Sequence, residues 1–168
     1  MASELDIEIR DAATDDAEMI ARIYNQGIED RQATLETQLR TADERRAWLA
    51  ARDARHPVLV AVVDGVVSGW ASLNAFNTRT AYDHVADISV YIARERRGNR
   101  LGGRLMDALE ARARAIGYHK LTLGGFPFNE VAVHLYTRQG FQTVGVYHEQ
   151  GMLDGRWVDV IVMEKLLA

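Results

Sequence analysis

Apolar and polar positions along this chain recur in two periods, one of about two residues and one of about 3.6, and the switches between them mark its elements. Ile7 to Arg10 reads as a short strand. Met19, Ile20, Ile23, Tyr24 and Ile28 then fall on one helical face, behind Asp15 and Glu18, whose three-residue spacing predicts an N-terminal cap pair. Thr41-Ala42-Asp43-Glu44 repeats the capping-box pattern and opens a helix through Trp48 and Leu49, which Pro57 stops by Arg55 or His56. Val58 to Val63 and Val66 to Leu73 are apolar runs joined by Asp64-Gly65, a two-residue link that signals a hairpin. Val85 to Ile92 predicts another strand. Its alternation sets Ala86, Ile88, Val90 and Ile92 on one face and Asp87, Ser89 and Tyr91 on the other. An arginine-glycine loop follows, then a helix carrying Leu101, Leu105, Leu109 and Ile116 and ending at Gly117. Leu121 to Gly124 reads as strand and Asn129 to Arg138 as a helix closed by Gly140. Phe141 to Tyr147 and Trp157 to Lys165 read as the last two strands.

The order β-α-α-β-β-β-α-β-α-β-β predicts an α/β fold layered around a mixed sheet. With 168 residues and no repeat or linker-like tract, residues 1–168 read as one domain. The 20 Lys+Arg against 24 Asp+Glu leave a net charge of −4, which argues against a nucleic-acid partner. The chain has no cysteine, which removes disulfides, thiolate zinc sites and cysteine nucleophiles, and fits a cytoplasmic setting. The histidines (His56, His84, His119, His134, His148) form no H-x-x-x-H pair, so no metal is expected. The opening stretch MASELDIEIRD is charged where a signal peptide is apolar, and no apolar run approaches membrane-spanning length. Neither export nor a membrane partner is expected.

Chemistry concentrates in two places. Arg94, Arg96, Arg97, Arg100 and Arg104 crowd one short loop with Gly98, Gly102 and Gly103, directly after a strand and at a helix start. Inward-turned backbone N–H groups and the positive end of a helix suit a phosphate or pyrophosphate there, although a solvated basic turn has the same composition. The loop has neither the G-x-G-x-x-G of a dinucleotide fold nor the G-K-[ST] of a P-loop. The second place is Asp87. A carboxylate inside a central strand costs free energy unless it is paired or used, so it reads either as a salt-bridge or turn partner, or as a general base.

Taken with the strand Asp87-Ile88-Ser89-Val90-Tyr91-Ile92, this loop resembles that of the GNAT acyltransferases. Their [QR]-x-x-G-x-[GA] pattern falls on Arg97 to Gly102, and their Asn … Leu-Tyr-x-x-x-Gly-Phe tail falls on Asn129, Leu135, Tyr136, Gly140 and Phe141. Tyr24-Asn25, Ala33-Thr34-Leu35-Glu36, Arg79-Thr80-Ala81-Tyr82 and Gly155-Arg156-Trp157-Val158-Asp159-Val160 are similar to the phosphinothricin and methionine-sulfoximine N-acetyltransferase branch, which includes arsinothricin acetyltransferases.

The resemblance implies a mostly antiparallel mixed sheet with helices on both faces, and acetyl-CoA as co-substrate. It implies that Val90, Tyr91 and Ile92 hold pantetheine through their backbone, that Arg97, Gly98, Asn99, Arg100, Leu101, Gly102 and Gly103 surround the pyrophosphate, and that Asn129 and Arg138 lie along the CoA arm. It makes Asp87 the base, direct or through water, and Tyr136 the acid that protonates the leaving thiolate. Leu35, Glu36, Arg79, Tyr82 and Trp157 fall to the substrate, with Arg79 suited to a carboxylate or phosphinate. The implied reaction is direct acetyl transfer to the α-amino group of a small amino-acid-like molecule, in a homodimer. The rivals are acetylation of a peptide or protein N-terminus and a weakly catalytic CoA-binding sensor.

Three departures stand out. Arg100 replaces the loop's first glycine and is expected to avoid positive φ, leaving flexibility to Gly98 and Gly103. Asp87 stands where the branch carries glutamate, and Leu35 where it often carries phenylalanine.

Overall fold

The computed structural model describes residues 4–167, so Met1–Ser3 and Ala168, ends of the 1–168 span read above, lie outside the described residues. The elements are β1 (Ile7–Asp11), α1 (Ala17–Glu29), α2 (Ala42–Ala50), β2 (Val58–Val63), β3 (Val66–Ala75), β4 (Val85–Ile92), α3 (Leu101–Ile116), β5 (Lys120–Gly125), α4 (Glu130–Arg138), β6 (Gln142–Leu153) and β7 (Arg156–Leu166). The strands form one sheet in the order β1-β2-β3-β4-β5-β7-β6, antiparallel throughout except between β4 and β5. This is the mixed sheet that the alternation predicted.

Both faces of the sheet are covered. Leu59, Ala61 and Val63 of β2 pack in the layer of α3 with Leu101, Leu105 and Leu109. Val58, Val60 and Val62 pack on the other side with Ile20 and Ile23 of α1. That double burial is why β2 reads Val-Leu-Val-Ala-Val-Val with no polar position. The faces of β4 divide as alternation predicts: Ala86 and Ile88 join the α3 layer, and Tyr91 packs with the α1 and α2 layer.

Turn chemistry sets several boundaries. Asp64 (φ 49°) and Gly65 (φ 83°) both take positive φ, the type I′ geometry that suits a two-residue hairpin. Gly117 (φ 104°) closes α3. Asp154 (φ 52°) and Gly155 (φ 77°) make a second such turn, so β6 runs on to Leu153 instead of stopping at Tyr147. At α1 the expected Asp15–Glu18 cap pair does not form. A 3-10 turn over Thr14–Asp16 leads in, and Asp16 accepts from Ala13 N at 2.7 Å and pairs with Arg10. The helix α2 ends at Ala50, short of Arg55, because Arg52 folds back and donates its Nε–H to His56 O at 2.9 Å.

Helix α2 docks through a buried cation. Arg45 is 9% exposed, with its guanidinium carbon 4.2 Å from the Tyr24 ring centre and 4.7 Å from that of Trp48. Trp70 lies beneath them and stacks on Tyr91 at 4.9 Å. Gly27 of α1 makes room for Tyr91: a Cβ there would sit 3.1 Å from two ring carbons. Gly27→Val should therefore lower the unfolding free energy by about 1–3 kcal/mol through overpacking. Urea unfolding measures it, and an unchanged midpoint would show that the Tyr91 ring yields freely.

Candidate active site

The parallel join between β4 and β5 is short. Val85 pairs with Lys120, Ala86 with Leu121 and Asp87 with Thr122, and there the register ends. Beyond it β4 continues beside β3 as far as Ile92, while β5 continues beside β7 as far as Gly125. The two half-sheets part, and a cleft opens between them, lined by Asp87, Ser89, Val90, Tyr91 and Ile92 on one wall and Gly124, Gly125 and Phe126 on the other. The β4 backbone beyond Asp87 faces this cleft without a β5 partner, an open edge for an extended ligand.

At the far end the cleft meets the start of α3. Arg100 takes φ 60° and ψ 14°, a left-handed conformation, contrary to the expectation that it would avoid positive φ. Gly98 (φ 85°) shares the turn, while Gly103 lies inside α3. Two left-handed residues bring the chain back into the helix, at the conformational cost of a side chain at Arg100. Gly102 has a packing role, since a Cβ there would come 2.9 Å from Leu135 Cδ2 of α4.

Arg97 lines the cleft yet is tied to Asp30 at 2.6 Å, as is Arg94 at 2.7 Å. Arg96, Arg100, Arg104 and Arg138 line the cleft with no ion pair among the described residues. The positive charge available to an anion is therefore theirs.

Asp87 and Tyr136 share the cleft lining. Asp87 has no charged neighbour acting on it, and burial alone pushes its carboxyl up to about 6. Burial likewise pushes the Tyr136 hydroxyl up to about 12. At neutral pH the cleft thus holds a weakly basic carboxylate and a protonated phenol.

A strap after α1 crosses the cleft mouth. Asn129 caps α4, accepting from Ala132 N at 3.2 Å, and its Nδ2 donates to Gln32 O at 3.0 Å. Arg31 pairs with Asp154 at 3.1 Å. Leu35 seats on Gly151 of β6, where a Cβ would come 2.5 Å from Leu35 Cδ2.

Of the residues singled out in the sequence, the cleft brings together Leu35, Asp87, Val90, Tyr91, Ile92, Arg97, Gly98, Arg100, Leu101, Gly102, Gly103, Asn129, Tyr136 and Arg138. Asn99 stands outside the lining and donates to Arg96 O at 3.1 Å. Glu36 is also outside, paired with Arg40 at 2.6 Å and held below the usual carboxylate range, chiefly by the backbone N–H of Gln38. Arg79 opens an exposed 3-10 turn, Tyr82 packs on Phe76 at 5.4 Å, and Trp157 is 61% exposed on β7. Ser89 and Thr34, named in the sequence without a role at the site, also stand in the lining. The strand alternation that singled out Asp87 already put Ser89 on the same face.

Fold and cleft together are those of an acyltransferase. Residues 20–141 match the model of the acetyltransferase (GNAT) family, and the chain belongs to that family. It is 34% identical to L-amino acid N-acyltransferase MnaT of Escherichia coli over 94% of this chain and 92% of that protein. It is 35% identical to the L-methionine sulfoximine/L-methionine sulfone acetyltransferase of Pseudomonas paraeruginosa over 93% and 92%. A phosphinothricin acetyltransferase from Sinorhizobium meliloti, solved in complex with acetyl-CoA, superposes with a TM-score of 0.89 at 28% identity, covering 96% of this chain and 89% of that one.

A carboxylate whose folded pKa is raised stabilises nothing by ionising. The native state holds its proton more tightly than the unfolded chain, so stability falls as pH rises from about 4 to about 6. Asp87→Asn should thus be more stable than the parent by about 1–3 kcal/mol above pH 6, and the difference should vanish near pH 4. Thermal melts across that range test it, and a pH-independent difference would mean that Asp87 finds a partner.

Proposed function

We propose that this chain, acting as one domain, transfers an acetyl group from acetyl-CoA to the α-amino group of a small amino-acid-like substrate, of the class of phosphinothricin, methionine sulfoximine, methionine sulfone or arsinothricin. The observation that carries this reading is Asp87, a carboxylate without a partner among the described residues, at the point where the sheet parts and in one cleft with Tyr136. The residues present fit acetyl-CoA. The open β4 edge at Val90, Tyr91 and Ile92 accepts an extended pantetheine arm. The left-handed turn at Gly98 and Arg100, the α3 start, and the guanidinium groups of Arg100, Arg104 and Arg138, which have no ion pair among the described residues, suit its phosphates. Bound there, it supplies an activated thioester.

Asp87 removes a proton from the substrate ammonium, with a basicity suited to neutral pH. Backbone N–H groups of β4 near Val90 face the developing oxyanion. Tyr136, protonated at neutral pH, gives its proton to the departing thiolate. The chain has no cysteine, which removes an acyl-cysteine route and supports direct transfer.

The strap over Gln32–Leu35 supports a small substrate over a peptide, which needs an open groove. An unpaired carboxylate that costs stability has no use in a mere sensor. The edge strand β6 leaves Val144, Val146, Tyr147 and Met152 exposed, which supports a homodimer formed through that edge. Arg79, Tyr82 and Trp157 stand outside the cleft lining, so the substrate reading rests on the cleft residues and not on them. The acidic, cysteine-free composition supports a cytoplasmic setting without nucleic-acid or membrane partners. Among the described residues no helix is long and apolar enough to cross a membrane.

Thiol release from acetyl-CoA, assayed against phosphinothricin, methionine sulfoximine, methionine sulfone and short peptides, tests the substrate class. Turnover of peptides alone overturns it. Asp87→Asn should lower kcat about 10²–10⁴-fold with acetyl-CoA affinity nearly intact. The wild-type rate should fall on the acid side of about pH 6, where Asp87 takes up its proton. For the phosphate end, Arg100→Glu should weaken acetyl-CoA binding at least tenfold at low salt and less at high salt, as read by calorimetry. Salt-independent affinity would remove Arg100 from the site.

A further inference from the structure

Ser89 stands two residues beyond Asp87 on the same face of β4 and lines the same cleft. Its hydroxyl ends a hydrogen-bond chain whose direction is fixed from the other end. Arg52, which can only donate, gives its Nη2–H to Asn74 Oδ1 at 3.0 Å. The Ser72 hydroxyl donates to the same oxygen at 3.0 Å. Asn74 must therefore turn its amide nitrogen the other way, and Nδ2 donates to Ser89 Oγ at 3.1 Å. Flipping that amide would set N–H against the Arg52 guanidinium, so the polarity is settled. With its oxygen accepting from Asn74, Ser89 keeps its own proton for another acceptor, and it has no protein acceptor among the described residues.

The groups around Asp87 leave that acceptor to solvent. Asn74 faces it across β3 and Thr122 across β5, Ser89 and Tyr91 share its face of β4, and Tyr136 of α4 shares the cleft. The charged or titratable groups on those neighbouring elements are Lys120 of β5, which pairs with Glu164, and Glu130, His134 and Arg138 of α4. None of them acts on Asp87, and the hydrogen-bond chain to Ser89 starts from Arg52 in the loop after α2. The Cα atoms of same-face neighbours on a strand lie about 6.6 Å apart, and one water spans two side-chain oxygens up to about 5.6 Å apart, so side chains leaning about 1 Å toward each other come within reach of a single bridging water.

We propose that Ser89 is a positioning residue for proton removal: its hydroxyl donates to a water that in turn donates to Asp87. That water then has one lone pair left, directed at the substrate ammonium. The ammonium N–H bond breaks and its proton passes to the water, while the water gives one of its own to the Asp87 carboxylate. The water is regenerated, the carboxyl becomes neutral, and the amine keeps its electron pair for attack. A hydroxyl donating to the amine itself would tie up that pair, so water is the productive acceptor. The proposal rests on the reading of Asp87 as base.

The test compares wild type, Ser89→Ala, Ser89→Thr, Ser89→Cys and Asp87→Asn. It uses thiol release with methionine sulfone and with its uncharged carboxamide, calorimetry with acetyl-CoA, and thermal melts. Ser89→Ala should lower kcat about 10- to 100-fold for both amines, with acetyl-CoA affinity within about twofold. The acid limb of its rate profile should move to higher pH, because a donor that supports the ionised carboxylate is lost. Ser89→Thr should recover most of the rate, and Ser89→Cys, nearly isosteric and a weaker donor, should fall between. Wild-type turnover in Ser89→Ala beside an inactive Asp87→Asn overturns this proposal alone. An active Asp87→Asn overturns the base reading and this proposal with it. A loss confined to the carboxylate-bearing amine also overturns it, and gives Ser89 to the substrate carboxylate instead.

Discussion

Three residue pairs between β4 and β5 hold the two halves of the sheet together, and everything at the site follows from where they stop. Were the parallel pairing to continue past Asp87 and Thr122, the β4 edge would be consumed by β5 and no cleft would exist. Each half stays bonded to its own outer neighbour, β4 to β3 through Ile92 and β5 to β7 through Gly125. The backbone left unpaired by the split is confined to one short edge, where a ligand can satisfy it. Asp87 belongs to the last joined pair. It is shielded by the sheet on one side and open to the cleft on the other, the environment that raises a carboxyl without removing it from reach.

The wall behind that edge is held by a cation among aromatic rings. Arg45 loses hydration on burial, which pulls its pKa down, and no carboxylate among the described residues compensates it. The faces of Tyr24 and Trp48 do so in part, since a desolvated guanidinium over a ring gains about 2 kcal/mol. Through Trp70 the same stack reaches Tyr91, which the cleft exposes from its other side. Packing of α2 and the shape of the cofactor edge are thus one problem, solved by one cluster.

The sequence disclosed what local chemistry dictates. Alternation placed Asp87 and Tyr91 on one face of β4, and the Asp64-Gly65 hairpin and Gly117 cap appear where their backbone preferences put them. The split between β4 and β5 was not legible, because the end of a parallel pairing between distant segments leaves no local pattern. Arg100 misled because side-chain propensity alone disfavours the left-handed conformation that the turn into α3 uses there. Glu36 carries the same letters in a substrate pocket or in a local turn, and only the fold reveals Arg40 and the Gln38 N–H beside it. Asp15 and Glu18 had the spacing of a cap, yet Asp16 took the partner, Arg10, that lies across the chain.

Charge is segregated along the cleft, and the segregation matters to both ends. The guanidinium groups without ion pairs among the described residues gather at the turn into α3 and at the end of α4, while nothing charged among the described residues acts on Asp87. From Asp87 to Ile92 an extended strand covers about 16 Å, longer than the screening length of about 8–10 Å at physiological salt. Were an arginine beside Asp87, attraction would favour its ionised form and pull its pKa back down, leaving a poorer proton acceptor. Were the arginines fewer, the phosphates of an extended anion would find no counter-charge. One straight strand, unpaired on one side, keeps the two requirements apart. Its length, more than any single residue, lets a strongly basic rim and a weakly acidic carboxyl coexist in one cleft.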